Sequence, residues 1–270
     1  MSPDLPAPTR FSGHVYPQNI PVPDEIRPGR PAPWSHLRET QRSGLTLATV
    51  EARLRQRGRH FSSAPLPREA AELRVIVDDE ERPITRASAV LVALYEAAGE
   101  TRVILTRRSR ELRNHRGEIS FPGGRSDLGE DPVTTALREA DEEVALRADQ
   151  VEVIGWLSPL VTLASGSAIW PIVATLADEP TLHANPNEVE HVFSVSLRDL
   201  ARDENFVEER WRRPTARPGA DAEGFFPIYF FRTPADVIWG ATARVVTELL
   251  CVALDVPWPE EDRFEGSRPE

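Results

Sequence analysis

Residues 105–146 read LTRRSRELRNHRGEISFPGGRSDLGEDPVTTALREADEEVAL, and this stretch decides the fold. Its second half predicts a helix, because Asp131 is a favoured N-cap residue and Pro132 suits the first helical position, where no N–H is needed. The residues after the cap form an apolar stripe at helical spacing, made of Val133, Ala136, Leu137 and Ala140. The sequence therefore predicts an amphipathic helix that begins at Pro132.

The other face of this helix carries three carboxylates that are neighbours in space, because spacings of three and four residues share a face. They are Glu139, Glu142 and Glu143, and Asp141 adds further negative charge. Like charges at this spacing repel one another, and acids near a helix C-terminus oppose the helix dipole. A solvated acidic surface is one interpretation of this pattern. The other is a site for a hard divalent cation, since Mg²⁺ prefers oxygen ligands and is neutralised by carboxylates.

The fixed residues around the helix resemble the signature box of the Nudix hydrolase family, G-x5-E-x7-R-E-U-x-E-E-x-G-U, where U is apolar. The matching residues are Gly124, Glu130, Arg138, Glu139, Glu142 and Glu143. One fixed position departs from the box, since Ala145 stands where the family has glycine. Either this alanine adopts a left-handed conformation, at a cost of about 1 kcal/mol, or the helix continues slightly further.

The residues just ahead of the box narrow the resemblance. Residues 105–124 fit the pattern L-T-x-R-S-x-x-L-R-x-H-x-G-x-x-x-F-P-G-G, which looks like the extra motif of the coenzyme A pyrophosphatase branch of the family. The broader resemblance runs from about Ala87 to about Leu254 and rests there on the order of strands and helices. It implies the α/β class, as a Nudix-like α/β/α sandwich with a mixed β-sheet. Strands and helices along the chain mix without strict alternation, which fits such a fold.

The resemblance implies a hydrolase that uses Mg²⁺ or Mn²⁺ to polarise a pyrophosphate and to lower the pKa of a bound water. The metal ligands that it implies are Glu139, Glu143, Glu142 and the carbonyl group of Gly124. Glu142 and Glu143 are also expected catalytic residues, because clustered carboxylates raise one another's pKa until a cation arrives and one of them could serve as base. Arg138 and Glu130 are expected to pair beside these carboxylates, and two independent surface charges are the alternative.

Basic residues ahead of the box are candidates for holding substrate phosphates, because a guanidinium can donate two parallel hydrogen bonds to phosphate oxygens. The predicted substrate-binding residues are Arg108, Arg113, His115, Arg116 and Gly123. Solvated arginines are the alternative, since all 32 basic residues of the chain are arginine. Glu188, in the stretch NPNEVEHV, is a candidate base outside the box, and a loop-edge acid without a chemical role is its alternative.

The composition excludes several classes of function. The chain of 270 residues has a net charge of −11, which argues against nonspecific binding to nucleic acid or to an anionic membrane. It contains no lysine, which excludes lysine chemistry. The single Cys251 cannot form an internal disulfide and lies in an apolar helical pattern, so we expect a buried structural thiol. Neither a signal peptide nor a long apolar run is seen, and a cytoplasmic location is the default expectation.

The chain divides into four predicted segments. They are a proline-rich arm (1–44), a short helix with a linker (45–84), the Nudix hydrolase domain (85–256) and an acidic tail (257–270). The arm has little apolar periodicity, so we expect it to be extended or disordered, or draped on the body, and to add little to the core. Trp34 is either an anchor for the arm or a lone exposed aromatic residue. Residues 208–224 are rich in Arg, Pro and Gly and predict a mobile loop.

The functional hypothesis is hydrolysis of coenzyme A, or its derivatives, to 3′,5′-ADP and 4′-phosphopantetheine. A Nudix hydrolase of another nucleoside diphosphate derivative, such as NADH, ADP-ribose or a dNTP, is the first alternative. A catalytically inactive protein that senses nucleotides is the second, and the intact carboxylate set argues against it. The expected partner is a small-molecule nucleotide, with no nucleic acid and no membrane, and a homodimer is considered as well.

Overall fold

The computed structural model describes residues 9–11, 14–16, 18, 20, 23, 25–56, 74–77, 80–83, 86–112, 115–162, 167–212, 221 and 223–259. Most of the predicted linker and of the acidic tail lies outside these residues. The strands are β1 (Thr9–Phe11), β2 (His14–Tyr16), β3 (Ile26–Pro28), β4 (Arg74–Val77), β5 (Glu80–Pro83), β6 (Arg86–Ala97), β7 (Glu100–Arg108), β8 (Ile119–Ser120), β9 (Gly123–Arg125), β10 (Glu152–Trp156), β11 (Leu160–Thr162), β12 (Ser167–Thr175), β13 (Val189–Ser196), β14 (Phe206–Arg212), β15 (Phe225–Arg232) and β16 (Val237–Trp239). The helices are α1 (Glu39–Arg42), α2 (Leu47–Gln56), α3 (Pro132–Val144), α4 (Leu197–Leu200) and α5 (Gly240–Ala253), with short 3₁₀ turns at Ala148–Gln150 and Asp203–Asn205.

The central sheet has the strand order β10-β12-β6-β7-β13. β12 runs parallel to β6, whereas the pairs β6–β7, β7–β13 and β10–β12 are antiparallel. The short strands β8, β9 and β11 add to β7, β6 and β12. The sheet is therefore mixed, which confirms the predicted α/β class.

Alternate residues of β6 face opposite layers, as the period of a strand requires. Ala89 and Leu91 pack in the core with α3, whereas Val92 and Leu94 pack in the core with α2 and α5. Helices thus cover both faces of the sheet, which confirms the sandwich. Cys251 is buried in α5, as expected for a structural thiol. In the part of the chain that the structure describes, no helix is both long and apolar enough to span a bilayer.

A second sheet, ordered β16-β15-β14-β3, packs against α5. The aromatic residues buried in it include Phe206, Trp211, Phe225, Phe226, Tyr229, Phe230 and Phe231. The loop predicted over 208–224 is wrong for residues 208–212, which belong to β14, while 213–220 lie outside the described residues. The strand tolerates the buried Glu208 because the Arg210 guanidinium donates to its carboxylate over 2.8 Å.

Gln18, β3 and Trp34 of the N-terminal arm pack on the body of the protein. β3 pairs with β14, and Trp34 is fully buried. The indole Nε1 of Trp34 donates to the carbonyl oxygen of Ala201 over 2.8 Å, and its ring stacks on that of Phe231. The side-chain amide of Gln18 makes two hydrogen bonds with the backbone of Val237. Trp34 thus anchors the arm, and the expectation that the arm adds little to the core is wrong.

Candidate active site

The helix with the carboxylates, α3, begins behind a side-chain cap. The Asp131 carboxylate accepts the backbone N–H groups of Val133 at 2.9 Å and Thr134 at 3.0 Å. These bonds satisfy two N–H groups that have no partner within the helix. The predicted N-cap and the predicted start at Pro132 are both confirmed.

The same helix ends in a left-handed residue. Ala145 has φ 56°, and its N–H donates to the carbonyl oxygen of Asp141 over 2.9 Å. The bond from the Ala145 N–H to Asp141 is that of an αL motif, and the N–H of Leu146 donates further back, to the carbonyl oxygen of Ala140. Of the two alternatives for this position, the structure has the left-handed one, so the helix stops at Val144 and alanine carries the strain.

Two glycines at the start of β9, Gly123 and Gly124, let this strand lie directly against α3. A Cβ atom on Gly124 would stand 2.4 Å from Oε2 of Glu139, and one on Gly123 would stand 2.3 Å from the carbonyl oxygen of Ala89. The N–H of Gly123 donates to Oε2 of Glu143 over 3.1 Å. Glycine is therefore required at 123, where a Cβ would meet the backbone of β6, whereas a Cβ at 124 would displace the flexible carboxylate of Glu139.

Glu143 is the buried carboxylate of the site, with its side chain 2% exposed. Burial raises its pKa to about 7, the Gly123 N–H and the Arg108 charge oppose that rise, and the charges of Glu139 and Glu188 add to it. One guanidinium nitrogen of Arg108 lies 3.7 Å from Oε1 of Glu143. Two acids and one arginine from different elements therefore act on the same carboxyl group.

Arg138 forms ion pairs with three acids, two on α3 and one just before it. Its guanidinium lies 2.8 Å from Glu130, 3.0 Å from Glu139 and 3.1 Å from Glu142, and it also donates to the carbonyl oxygen of Arg125. The hydrogen bond from Arg138 lowers the pKa of Glu130 to about 2. Burial raises the pKa of Glu139, although Arg138 opposes the rise. The predicted pair of Arg138 and Glu130 is present, and the alternative of two independent surface charges is wrong.

The predicted phosphate-binding residues are not all in one place. Arg108 contacts Glu143 of the box, whereas His115 and Arg116 contact their own loop. Nδ1 of His115 lies 3.0 Å from the Glu118 carboxylate, whose hydrogen bond raises the pKa of the imidazole. Nε of Arg116 donates to the carbonyl oxygen of Leu112. Arg113 lies outside the described residues.

Glu188 approaches the carboxylates on the loop before β13. Its carbonyl oxygen accepts the N–H of Ser109 over 2.8 Å, which fixes the loop to the end of β7. The charge of Glu188 adds to the raised pKa values of Glu139 and Glu143, behind burial as the main cause. The structure thus places this acid, which lies outside the box, within electrostatic reach of two box carboxylates.

Comparisons with known proteins identify the family of this chain. The family profile of the NUDIX domain matches residues 85–215. The Nudix hydrolase NudL of Yersinia enterocolitica is 36% identical over 163 residues, which are 60% of this chain and 78% of that protein. The chain belongs to the Nudix hydrolase family.

Other Nudix proteins match smaller parts of the chain. Nudix hydrolase 3 of Caenorhabditis elegans is 40% identical over 119 residues, or 43% of this chain, and the matched part is 50% of that relative's length. A solved structure of a C. elegans Ap4A hydrolase binary complex is 22% identical with a TM-score of 0.36, over 41% of this chain and 80% of that chain. The Nudix domain and its Nudix hydrolase relatives support a pyrophosphohydrolase enzyme.

A divalent cation, as Nudix hydrolases generally use, fits the chemistry of this site. A cation would favour the charged form of the buried Glu143, and the missing Cβ of Gly124 leaves room at Glu139. Among the described residues, no three Asp, Glu, His or Cys side chains already stand together as a metal centre. The Glu139 and Glu142 carboxylates lie against the Arg138 guanidinium, at 3.0 Å and 3.1 Å. The ligand set of Glu139, Glu142, Glu143 and the Gly124 carbonyl stays a prediction.

Two supporting residues of the Nudix site were not found from the sequence. Thr135 is fully buried, and its hydroxyl donates to Oε2 of Glu130 over 3.0 Å. The backbone N–H of Asn185 donates to the carbonyl oxygen of Glu143 over 2.8 Å. The Asn-Pro-Asn composition at 185–187 does signal a turn, but a turn signal does not identify the helix that the turn contacts.

Proposed function

We propose that this protein is a metal-dependent Nudix hydrolase that cleaves the pyrophosphate bond of coenzyme A or its derivatives. The products are 3′,5′-ADP and 4′-phosphopantetheine. The observation that carries the proposal is the position of Arg108, a residue of the motif ahead of the box, 3.7 Å from the buried carboxylate of Glu143. The motif that suggests the substrate and the box that suggests the metal therefore meet at one place.

Hydrolysis adds one water across the phosphoanhydride. The water oxygen bonds to one phosphorus, the bond from that phosphorus to the bridging oxygen breaks, and the bridging oxygen leaves with the other phosphate. When bound, a divalent metal ion supplies Lewis-acid stabilisation of the phosphate charge and lowers the pKa of water. Glu139, Glu142, Glu143 and the Gly124 carbonyl would hold that ion. Glu188 receives the proton of the attacking water, because it stands at the site but on a loop outside the ligand set.

Arg108 binds a phosphate of the substrate. A chain with a net charge of −11 repels a polyanion, so local positive charge has to compensate. The 3.7 Å separation from Glu143 exceeds hydrogen-bond length, and the Arg108 side chain is 27% exposed. The guanidinium therefore keeps donors for phosphate oxygens. Arg113, His115, Arg116 and Gly123 are the further residues that we propose for substrate binding.

The test is a mass-spectrometric screen of the purified protein with Mg²⁺, with Mn²⁺ and with EDTA. The substrates are coenzyme A, 3′-dephospho-coenzyme A, an acyl-coenzyme A, NADH, ADP-ribose and dNTPs. We expect coenzyme A to give 3′,5′-ADP in a metal-dependent reaction, and 3′-dephospho-coenzyme A to react more slowly because it lacks one phosphate. Faster cleavage of NADH or ADP-ribose would reject the substrate but keep the enzyme class. Cleavage of none of these compounds would favour the nucleotide sensor instead.

Three further properties stay predictions. We propose Mg²⁺ or Mn²⁺ as the metal, and the screen compares the two directly. A cytoplasmic location and a homodimer are also proposed, and fractionation of cells and light scattering of the pure protein check them.

A further inference from the structure

The loop of residues 183–189 closes the C-terminal end of α3. The last carbonyl groups of a helix have no partner within the helix. Here the N–H of Asn185 donates to the Glu143 carbonyl over 2.8 Å, and its Nδ2 donates to the Glu142 carbonyl over 3.3 Å. The N–H of His183 donates to the Val144 carbonyl over 3.0 Å. The loop is thus bonded to the backbone of the residues that carry the site carboxylates.

Asn185 also organises the loop on its other side. Its carbonyl oxygen accepts the N–H groups of Glu188 at 3.0 Å and Val189 at 2.8 Å, and its Oδ1 accepts the N–H of Asn187 at 3.2 Å. The backbone of Glu188 is also bonded to the end of β7, since its carbonyl oxygen accepts the N–H of Ser109. Asn185 therefore connects the end of α3 with the backbone of Glu188. Its side chain makes two of these bonds, since Nδ2 donates to the Glu142 carbonyl and Oδ1 accepts the Asn187 N–H.

We propose that Asn185 is a positioning residue, which holds Glu188 at a fixed place relative to Glu139 and Glu143 during hydrolysis. This inference rests on the proposed function, in which Glu188 receives the proton from water. Asn185 touches neither substrate nor metal and acts through the loop. A shift of a catalytic group by about 1 Å is enough to lower a rate on the order of a hundredfold. A short connection to α3 would prevent such a shift of Glu188.

The first experiment is a double-mutant cycle on the full-length protein with coenzyme A. Asn185→Ala keeps the backbone bonds and removes both side-chain bonds, so we expect kcat to fall about tenfold, with KM and melting temperature near the wild-type values. If Asn185 acts through Glu188, adding Asn185→Ala to Glu188→Gln changes kcat no further. Losses that multiply in the double variant would overturn the proposal.

The matched control is Asn205→Ala. Nδ2 of Asn205 donates to the carbonyl oxygen of Asp199 over 2.8 Å, which is the same kind of bond at the end of α4, away from the site. We expect this variant to keep the wild-type kcat. If Asn185→Ala and Asn205→Ala lower kcat equally, Asn185 has a structural role alone and the proposal fails.

A second readout separates this inference from the choice of substrate. If coenzyme A is not cleaved but another compound of the screen is, the cycle is run on that compound. Hydrogen–deuterium exchange needs no substrate at all. Asn185→Ala should raise amide exchange across residues 183–189 and leave exchange in β6 unchanged. Unchanged exchange in the loop would overturn this inference even if the enzyme proves to be a coenzyme A diphosphatase.

Discussion

Arg107 and Arg108 are neighbours on β7 and lie in opposite environments. Alternation along a strand sends their side chains to opposite faces of the central sheet. Arg107 forms an ion pair with Asp236, which is buried in the turn before β16, and Glu190 lies 3.5 Å from its guanidinium. Arg108 faces α3 instead, 3.7 Å from Glu143. One arginine joins the central sheet to the second sheet, and the other faces the active site.

Contact and burial distinguish the two roles. A guanidinium that is bonded to a buried carboxylate cannot turn to a substrate, because an uncompensated charge would stay behind in the interior. Arg108 has no such tight partner, and its side chain is 27% exposed against 11% for Arg107. The comparison teaches that, in this chain, the arginine with the weaker ion pair is the one available for function. The predictions below test the environment of Arg108, at the end of α3, or that of Arg107, at Asp236.

The largest expected effect comes from the carboxylate that Arg108 faces. Glu143→Gln keeps the shape of the side chain and removes its charge, so we expect turnover to fall by about a thousandfold, which is about 4 kcal/mol of barrier. Steady-state kinetics with Mg²⁺ measure this loss. Asp141→Asn, an exposed acid on the same helix, is the control and should stay near wild type. Full activity of Glu143→Gln with unchanged metal dependence would reject the role of this residue.

On the other face, Asp236→Ala should affect stability and not chemistry. It leaves the Arg107 guanidinium in the interior without its partner, so we expect a loss of about 3–5 kcal/mol in the free energy of unfolding. Urea unfolding followed by fluorescence measures it. Glu223→Ala breaks an exposed ion pair with Arg27 in the same sheet and should lose less than about 1 kcal/mol. Equal losses in the two variants would show that the buried ion pair contributes no more to the free energy of unfolding than the exposed one.

The sequence predicts one side of this comparison much better than the other. The cap at Asp131, the stripe of α3 and the carboxylates are local patterns, because each residue's role depends on neighbours within two turns of helix. The partners of Arg107 and Trp34 are more than a hundred residues away, at Asp236 and Ala201, and no local pattern indicates them. The Arg-Arg pair in the motif likewise does not reveal which arginine is held by a buried carboxylate.

The strand β14 of the second sheet could not be predicted for a related reason. In β14 the sequence FVEERWR carries four charges, which disfavours a buried strand. The strand forms nonetheless because Glu208 finds Arg210 within the strand and Arg30 from the arm. Long-range pairing therefore decides this region, whereas local periodicity decides α3.

The pH dependence of stability gives a third test, on the Arg108 face. The pKa of Glu143 is raised to about 7 in the folded protein, so between about 4.5 and 7 the folded state binds a proton that the unfolded state has lost. Stability of the metal-free protein should therefore fall as pH rises through this window, by about 3 kcal/mol at about 1.4 kcal/mol per pKa unit. Urea unfolding in EDTA from pH 5 to 8 measures it. Glu143→Gln should remove this contribution, and an identical fall in that variant would assign it to other groups.

A smaller effect is expected from Arg108 itself. Arg108→Ala removes a charge-assisted contact to phosphate, worth about 1.5–3 kcal/mol, so kcat/KM should fall about ten- to a hundredfold. The melting temperature should change little, because the guanidinium makes no tight ion pair. The control is Arg110→Ala, at the next arginine along the chain, whose side chain is 59% exposed. This variant should keep the wild-type kcat/KM. If Arg108→Ala unfolds the protein as readily as Asp236→Ala, the distinction between the two arginines is lost.

The smallest expected effect lies at the end of α3, at Ala145, two residues beyond Glu143. Ala145 has φ 56°, a left-handed conformation that glycine adopts without strain, and its N–H already closes the helix on Asp141. Ala145→Gly should therefore raise the free energy of unfolding by up to about 1 kcal/mol, because the strain that alanine carries is relieved. The larger entropy of glycine in the unfolded chain opposes part of this gain. Since the hydrogen bonds that end the helix come from the backbone, Glu143 should stay where Arg108 meets it and kcat should not change. A rise in stability together with a fall in kcat would show that the strained alanine itself sets the position of the Glu143 carboxylate.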